Sequence, residues 1–277
     1  EDDDFDLTAA LEAAAFVERG DIWTVGRHRL VCGDATNAGD IELLMDGKKA
    51  NLVLTDPPYN VAFESSDGLS IKNDKMSADA FYEFLLAAFT QMAGVCEKGA
   101  SAYVFHADTE GLNFRRAFQD AGFKLSGCCI WVKDSLVLGR SPYQWQHEPV
   151  LYGWVKTGKH TWYADRKQTT VWRFDKPRRN ADHPTSKPLD LLAYPIGNST
   201  QANAIVLDTF AGSGSTLMAC EATNRIAYCM ELDEKYASVI LRRYADATGD
   251  AAGITCLRDG QQLAYLDVVK AVDRGKK

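Results

Sequence analysis

An α/β protein, built on a mostly parallel sheet with helices on both faces, is what the sequence predicts. Three observations carry that expectation. From Ala50 onward, short hydrophobic runs alternate with stretches whose apolar residues recur at helical spacing, the order that builds parallel sheets. Two of the runs, "NLVLT" and "AIVLD", lead into conformationally restricted segments: Asp56-Pro57-Pro58-Tyr59 after the first, and Phe210-Ala211-Gly212-Ser213-Gly214 after the second. The composition, 46% hydrophobic and 25% charged over 277 residues, is that of a folded globular chain. No apolar run approaches the roughly 18 residues of a membrane span, so none is expected.

Taken in order, residues 1–19 open with "EDDDFD" and turn Ala-rich. They read as an acidic tail or linker with a short helix stopping at Gly20, and the catalytic domain is expected over 20–277. The acidic start has no signal-peptide core. A chain beginning with Glu reads as a trimmed chain or as a piece of a longer protein, the second leaving room for a further domain upstream. Residues 21–33 alternate weakly and predict a hairpin. "NLVLT" predicts a buried strand, "SADAFYEFLLAAFTQMAGVCEKG" a helix stopped at Gly99, "ASAYVFH" a strand, "TEGLNFRRAFQDAG" a helix stopped at Gly122, and "KLSGCCIWVK" a strand. Residues 134–180 show no clear periodicity and read as an insertion. "SKPLDLLAYPIGNST" predicts a helix with one proline near its start and another inside it. "NAIVLDTF" predicts a strand, "SGSTLMACEATN" a helix, "RIAYCMEL" a strand and "DEKYASVILRRYADATG" a final helix.

Charge is unevenly spread. The chain carries −7, yet Lys133 to Lys187 holds eleven basic and five acidic residues, a local +6. Such asymmetry points to an anionic partner for that stretch. The seven cysteines include no C-x-x-C pair, and no Cys/His cluster has ligand spacing. They read as reduced, buried thiols of a cytoplasmic protein, with no metal site.

The chemistry concentrates at two strand ends. Adjacent prolines cannot donate ladder hydrogen bonds, so the strand before Asp56 must stop there, and Pro58 holds Pro57 extended. A carboxylate and a phenol are thereby fixed on a stiff elbow. At the second strand end, Asp208 precedes a glycine loop and a helix start, where backbone can approach a ligand closely and negative groups are favoured. A nucleoside triphosphate loop would need a Lys before Ser215 or Thr216, which is absent. A dinucleotide loop would need a third Gly where Leu217 stands. S-adenosylmethionine needs neither. Glu231, ending the next strand 23 residues beyond Asp208, is placed to accept hydrogen bonds from ribose hydroxyls.

Together these residues resemble the amino-methylating DNA methyltransferases. The family's catalytic signature, [Asp/Asn/Ser]-Pro-Pro-[Tyr/Phe/Trp], is matched by Asp56-Pro57-Pro58-Tyr59, and its Phe-x-Gly-x-Gly cofactor loop by Phe210 to Gly214. "HPTSKP" at 183–188 is similar to the family's His-Pro-x-x-Lys-Pro element, and "HEPVLYGW" at 147–154 to a further block. The catalytic motif precedes the cofactor loop, which is the family's circularly permuted β-type order. The resemblance covers roughly residues 20–250.

It implies a Rossmann-like S-adenosylmethionine-dependent fold: a mostly parallel seven-stranded sheet with one antiparallel edge strand. It implies methyl transfer from S-adenosyl-L-methionine to the exocyclic N6 of adenine in double-stranded DNA, on a flipped-out base. Asp56 and the Pro57 carbonyl would accept the amine N–H groups and Tyr59 would stack on the base. Asp208, Phe210, Ala211, Gly212, Ser213, Gly214 and Glu231 would hold the cofactor, with Lys187 near its methionine carboxylate and Asp34 of "VCGDAT" near its adenine. His183 is either part of that element or a structural histidine at a helix start. Within 134–180, the expected target-recognition region, and at its borders, Lys133, Arg140, Lys167, Arg173, Arg178 and Arg179 would meet DNA. Asp74 is placed on a lid, and a homodimer is consistent with the family. Cytosine N4 as target, a protein or RNA substrate, and a non-catalytic DNA-binding protein are the alternatives. The loop order argues against the glutamine-methylating relatives with Asn-Pro-Pro-Tyr, in which the cofactor loop comes first.

Overall fold

The computed structural model describes residues 5–60, 75–138, 142–175 and 187–274. A helix α1 (Leu7–Glu12) precedes the hairpin β1 (Ile22–Val25) and β2 (His28–Cys32). Then follow α2 (Ala38–Met45), β3 (Ala50–Thr55), α3 (Ala78–Gly94), β4 (Cys96–Phe105), α4 (Gly111–Asp120), β5 (Phe123–Val137), β6 (Trp145–Val155) and β7 (Val171–Arg173). The last part is α5 (Leu189–Ser199), β8 (Ile205–Asp208), α6 (Ser215–Ala222), β9 (Ile226–Glu231), α7 (Glu234–Thr248), β10 (Ile254–Arg258), β11 (Gln261–Ala264) and α8 (Tyr265–Arg274).

Among the described residues, one sheet runs in the order β11-β10-β1-β2-β9-β8-β3-β4-β6-β5-β7. Its centre, β2-β9-β8-β3-β4, is parallel throughout. Every central strand therefore ends on the same edge, where open α/β sheets bind ligands. The period-2 alternation of strand side chains decides which helix covers which face. Leu52, Leu54, Val206, Ala227 and Cys229 face one core, with residues of α5, α6, α7 and α8. Val53, Leu207, Tyr228 and Met230 face the other, with residues of α2, α3 and α4.

Several expectations are corrected. The seven-stranded core is present as β2-β9-β8-β3-β4-β6-β5, but its reversed strand β6 is antiparallel to both β4 and β5 and lies between them, one place in from that core's edge. Four further strands extend the core at its two ends. Residues 134–180 are consequently not a simple insertion, since β6 lies within them and is a structural strand. Helix α3 stops at Gly94 rather than Gly99. Gly99 lies inside β4 with φ +75°, where a Cβ would meet the Lys159 carbonyl oxygen at 2.2 Å. Helix α7 is not the last element: β10, β11 and α8 follow it. The tail expected over 1–19 is docked from Phe5 on, and its helix ends at Glu12, well before Gly20. Leu7, Ala10 and Leu11 pack on Val239 of α7. Phe16 and Val17 enter the main core, and the Ser238 hydroxyl accepts both of their backbone N–H groups at 3.0 and 3.1 Å.

Candidate active site

Two adjacent parallel strands, β3 and β8, bring the opening motifs together, with Leu52 opposite Val206 and Val53 opposite Leu207. Just past that register, the buried Thr55 hydroxyl donates to Asp208 Oδ1 at 2.7 Å. The proline elbow is thus pinned directly to the glycine loop. On the far side of the elbow, Asn60 adopts φ 58°. Its side chain accepts from Met76 N at 2.6 Å and donates to Met76 O at 3.2 Å, closing the two ends of the intervening segment. Asp74, within that segment, lies outside the described residues.

The loop after β8 is held from three sides. Asp208 Oδ1 accepts Phe210 N at 3.1 Å, and Ala211 N donates to Met230 O at 3.0 Å. Gly212 N donates to Glu231 Oε2 at 2.8 Å. Phe210 meets Phe84 edge-on, ring centres 5.9 Å apart. Beneath the loop, the buried Arg243 guanidinium donates to Ser213 O and Ser215 Oγ, both at 3.1 Å. Gly214 begins α6 with φ +84°, and a Cβ there would press on Ile240 at 3.1 Å. Asp34, half-buried beyond β2, lies near Glu231: Cys32 is opposite Glu231 and Gly33 N donates to its carbonyl at 3.0 Å. Asp34 Oδ1 accepts from Thr36 N and Oγ1 at 2.9 and 2.8 Å.

Asp208 and Glu231 are carboxyls whose burial pushes them up, to about 6 and about 7. Their hydrogen bonds, from Thr216, Thr55 and Phe210 N in one case and from Asp233 and Gly212 N–H groups in the other, pull back only in part. Buried carboxyls of this kind suit neutral hydroxyl donors such as a ribose diol. Thr209 Oγ1, in the same loop, is buried without a hydrogen-bond partner among the described residues, an atom for which a ligand would be a natural partner. The residues fit the cofactor that the motif implies.

The elbow carries a second, denser cluster. Asp56 Oδ1 accepts the Tyr59 hydroxyl, and Asp56 Oδ2 pairs with Lys187 Nζ at 2.5 Å. Lys187 also reaches Glu148 Oε2 at 3.3 Å, and Glu148 Oε1 pairs with Lys133 Nζ at 2.5 Å. Burial alone would raise Glu148, but Lys187 and Lys133 outweigh it and hold the carboxyl at about 2. Burial alone would lower Lys187, but Asp56 and Glu148 raise it above the ordinary lysine value. Burial and the two carboxylates push Tyr59 well above an ordinary phenol, so it stays protonated and donates. Its ring meets Phe114 edge-on at 6.5 Å.

Two sequence expectations change here. Lys133, expected at DNA phosphates, is 8% exposed and committed to Glu148. Lys187, expected near the cofactor's methionine carboxylate, is 6% exposed and paired with Asp56. Lys167 and Arg173 are exposed. Arg140, Arg178, Arg179 and His183 lie outside the described residues. The sequence reading missed Glu148, although it lies in the "HEPVLYGW" block, because only the fold puts it beside Tyr59, 89 residues away in the chain. It also missed Arg243, which no motif marks.

Comparison with known proteins shows the family. A sequence model of a DNA methylase family matches residues 50–242. The candidate methylase YubD of Escherichia coli (strain K12) is 30% identical over 208 residues, 75% of this chain and 86% of YubD. The DNA adenine methyltransferase YhdJ of the same strain is 28% identical over 229 residues, 71% of this chain and 76% of YhdJ. Two solved structures share the fold. The M1.HpyAVI–SAM complex has a TM-score of 0.58 at 23% identity, covering 77% of this chain and 98% of its own. The cytosine-N4-specific PvuII DNA methyltransferase has a TM-score of 0.62 at 15% identity, covering 89% and 94%. The family model spans both strand-end motifs, Asp56–Tyr59 and Phe210–Gly214, and the chain belongs to the N6/N4 DNA methylase family.

Proposed function

We propose that the chain transfers a methyl group from S-adenosyl-L-methionine to the exocyclic N6 of an adenine flipped out of double-stranded DNA. The observation that carries this reading is the Thr55–Asp208 hydrogen bond of 2.7 Å, which fixes the elbow against the glycine loop. When bound, the cofactor supplies an electrophilic methyl on a sulfonium. Glu231 and Asp34 would accept its ribose and adenine hydrogen bonds, and the 208–214 loop would receive its methionine part.

An aromatic exocyclic amine is a weak nucleophile because its lone pair is delocalised into the ring. Accepting both N–H groups, at the Asp56 carboxylate and the Pro57 carbonyl, favours localisation of that pair on nitrogen. Catalysis is then positioning and electrostatics. Extruding the base costs a few kcal/mol, and stacking on an aromatic such as Tyr59 returns ~1–3 kcal/mol. The exposed Lys167 and Arg173, within the basic stretch 134–180, supply phosphate contacts. Asp rather than Ser at the first motif position favours adenine by family correlation. The same acceptors also suit cytosine N4, the target named for PvuII.

The test is expression in a host lacking DNA methylation, followed by native DNA sequencing with modification detection. N6-methyladenine at a recurring site, lost with Asp56→Ala, is the expected result. N4-methylcytosine alone would reassign the base. Unmodified DNA would overturn the reading.

A further inference from the structure

The elbow has a feature that the proposed reaction does not by itself explain. Asp56, the acceptor for the target amine, has both oxygens engaged: one by the Tyr59 hydroxyl, the other by the Lys187 ammonium at 2.5 Å. A carboxylate neutralised by an ammonium is a weak acceptor. It is also a poor stabiliser of the positive charge that builds on the amine nitrogen as the methyl arrives. An ammonium left in place would repel that charge. A second acceptor for Lys187 is already in reach. Glu148 Oε2 lies 3.3 Å from Lys187 Nζ and 3.3 Å from the Tyr59 hydroxyl, so both groups now on Asp56 also touch Glu148. Glu148 sits on β6, inside the sheet, opposite Trp131 of β5. Lys133 anchors its other oxygen at 2.5 Å. The four charges sum to zero, so a shift of Lys187 within the cluster buries no new charge.

We propose that Glu148 is a positioning residue that draws Lys187 off Asp56 when the target amine enters, leaving Asp56 Oδ2 as a free, negatively charged acceptor. The inference rests on the methyl-transfer reading above and deepens it: Lys187 holds Asp56 as an ion pair, and entry of the target amine releases it. No covalent bond changes and no proton is transferred in the exchange. Lys187 keeps its charge and trades one carboxylate for another.

The exchange predicts a sign reversal between two substitutions. In Glu148→Gln the second carboxylate is gone, Lys187 stays on Asp56, and the site is held closed. Removing the ammonium as well, in Glu148→Gln with Lys187→Met, frees Asp56 again. Single-turnover methyl transfer to duplex DNA at saturating cofactor, with cofactor affinity measured by calorimetry, reads this out. Glu148→Gln is expected to slow the methyl-transfer step at least tenfold while cofactor affinity stays within threefold of wild type. The double variant is expected to be at least fivefold faster than Glu148→Gln alone. A double variant as slow as Glu148→Gln, or slower, would overturn the exchange, as would a Glu148→Gln rate within threefold of wild type. If Glu148→Gln does not fold, Glu148→Asp replaces it. That variant keeps a charge for Lys133 but draws the carboxylate back from Lys187, and the same relief by Lys187→Met is expected. A wild-type chain that transfers no methyl to DNA at all is the distinct outcome that removes the underlying reading, and the exchange with it.

Discussion

Glu231 is the residue whose protonation the cofactor should feel. Burial lifts it to about 7, and Asp208 to about 6, against unfolded values near ~4. Both therefore bind protons more tightly in the folded state. In the ligand-free protein they make stability fall as pH rises from about 4 to about 7. Glu148, held at about 2, works the other way: its contribution is present above about 4.5 and is lost as pH falls toward 2. Hydroxyl donors prefer the carboxylate, so the cofactor should bind the ionised form of Glu231. The cofactor dissociation constant, measured by calorimetry, is expected to rise severalfold from pH 8 to pH 6. Glu231→Gln should bind more weakly at pH 8 and show a flat profile. A wild-type affinity unchanged over that range would remove Glu231 from the cofactor site. Asp56, Asp208 and Glu231 were legible in the sequence because each ends a strand within a short motif. The partners of Lys133 and Lys187 were not, since local spacing says nothing about which charge a folded chain places opposite another.

At the scale of elements, β6 shows how a stretch without clear periodicity can be structural. Its burial is continuous over Pro149–Leu151 and alternates between buried and half-buried from Leu151 to Val155, but its half-buried positions are the aromatic Tyr152 and Trp154, so the sequence shows no apolar/polar alternation. Gly153 is where its neighbours come closest: a Cβ there would meet the Lys124 carbonyl oxygen at 2.1 Å and Phe118 at 2.8 Å. Gly153→Ala should destabilise the fold by about 1–3 kcal/mol through overpacking, measured by chemical denaturation. Little change would mean that β5 and β6 separate at low cost. The β10–β11 hairpin illustrates the opposite failure. Its turn, Asp259-Gly260 with φ 50° and 75°, was visible as the Asp-Gly signal of a tight hairpin. It went unread because "QQLA" in β11 lacks the apolar alternation of a core strand.

At the scale of the molecule, residues 5–19 are part of the domain. Leu7, Leu11, Phe16 and Val17 are all buried. Arg258 ties the following turn down with a two-pronged ion pair to Asp21, at 2.7 and 2.6 Å, and a hydrogen bond to the Phe16 carbonyl at 2.8 Å. Burying each large apolar side chain contributes about 1.5–3 kcal/mol, offset in part by the entropy of ordering the segment. Deleting residues 1–17 is therefore expected to lower the melting temperature by about 5–10 °C. An unchanged melting temperature would make the segment a passive tail after all. No helix among the described residues is long and apolar enough to cross a membrane.

The sequence by itself determined the alternation of strand and helix, the two motifs at strand ends and their permuted order. These are local properties of the chain, set by periodicity, proline and glycine. Only the tertiary structure decided that β6 lies inside the sheet, that residues 7–17 are docked, and that Glu148 and Lys187 share the elbow with Asp56. Those outcomes depend on which strands pair and which charges are buried together. Pairing and burial are settled by the packing of the whole chain, which no short stretch of sequence encodes.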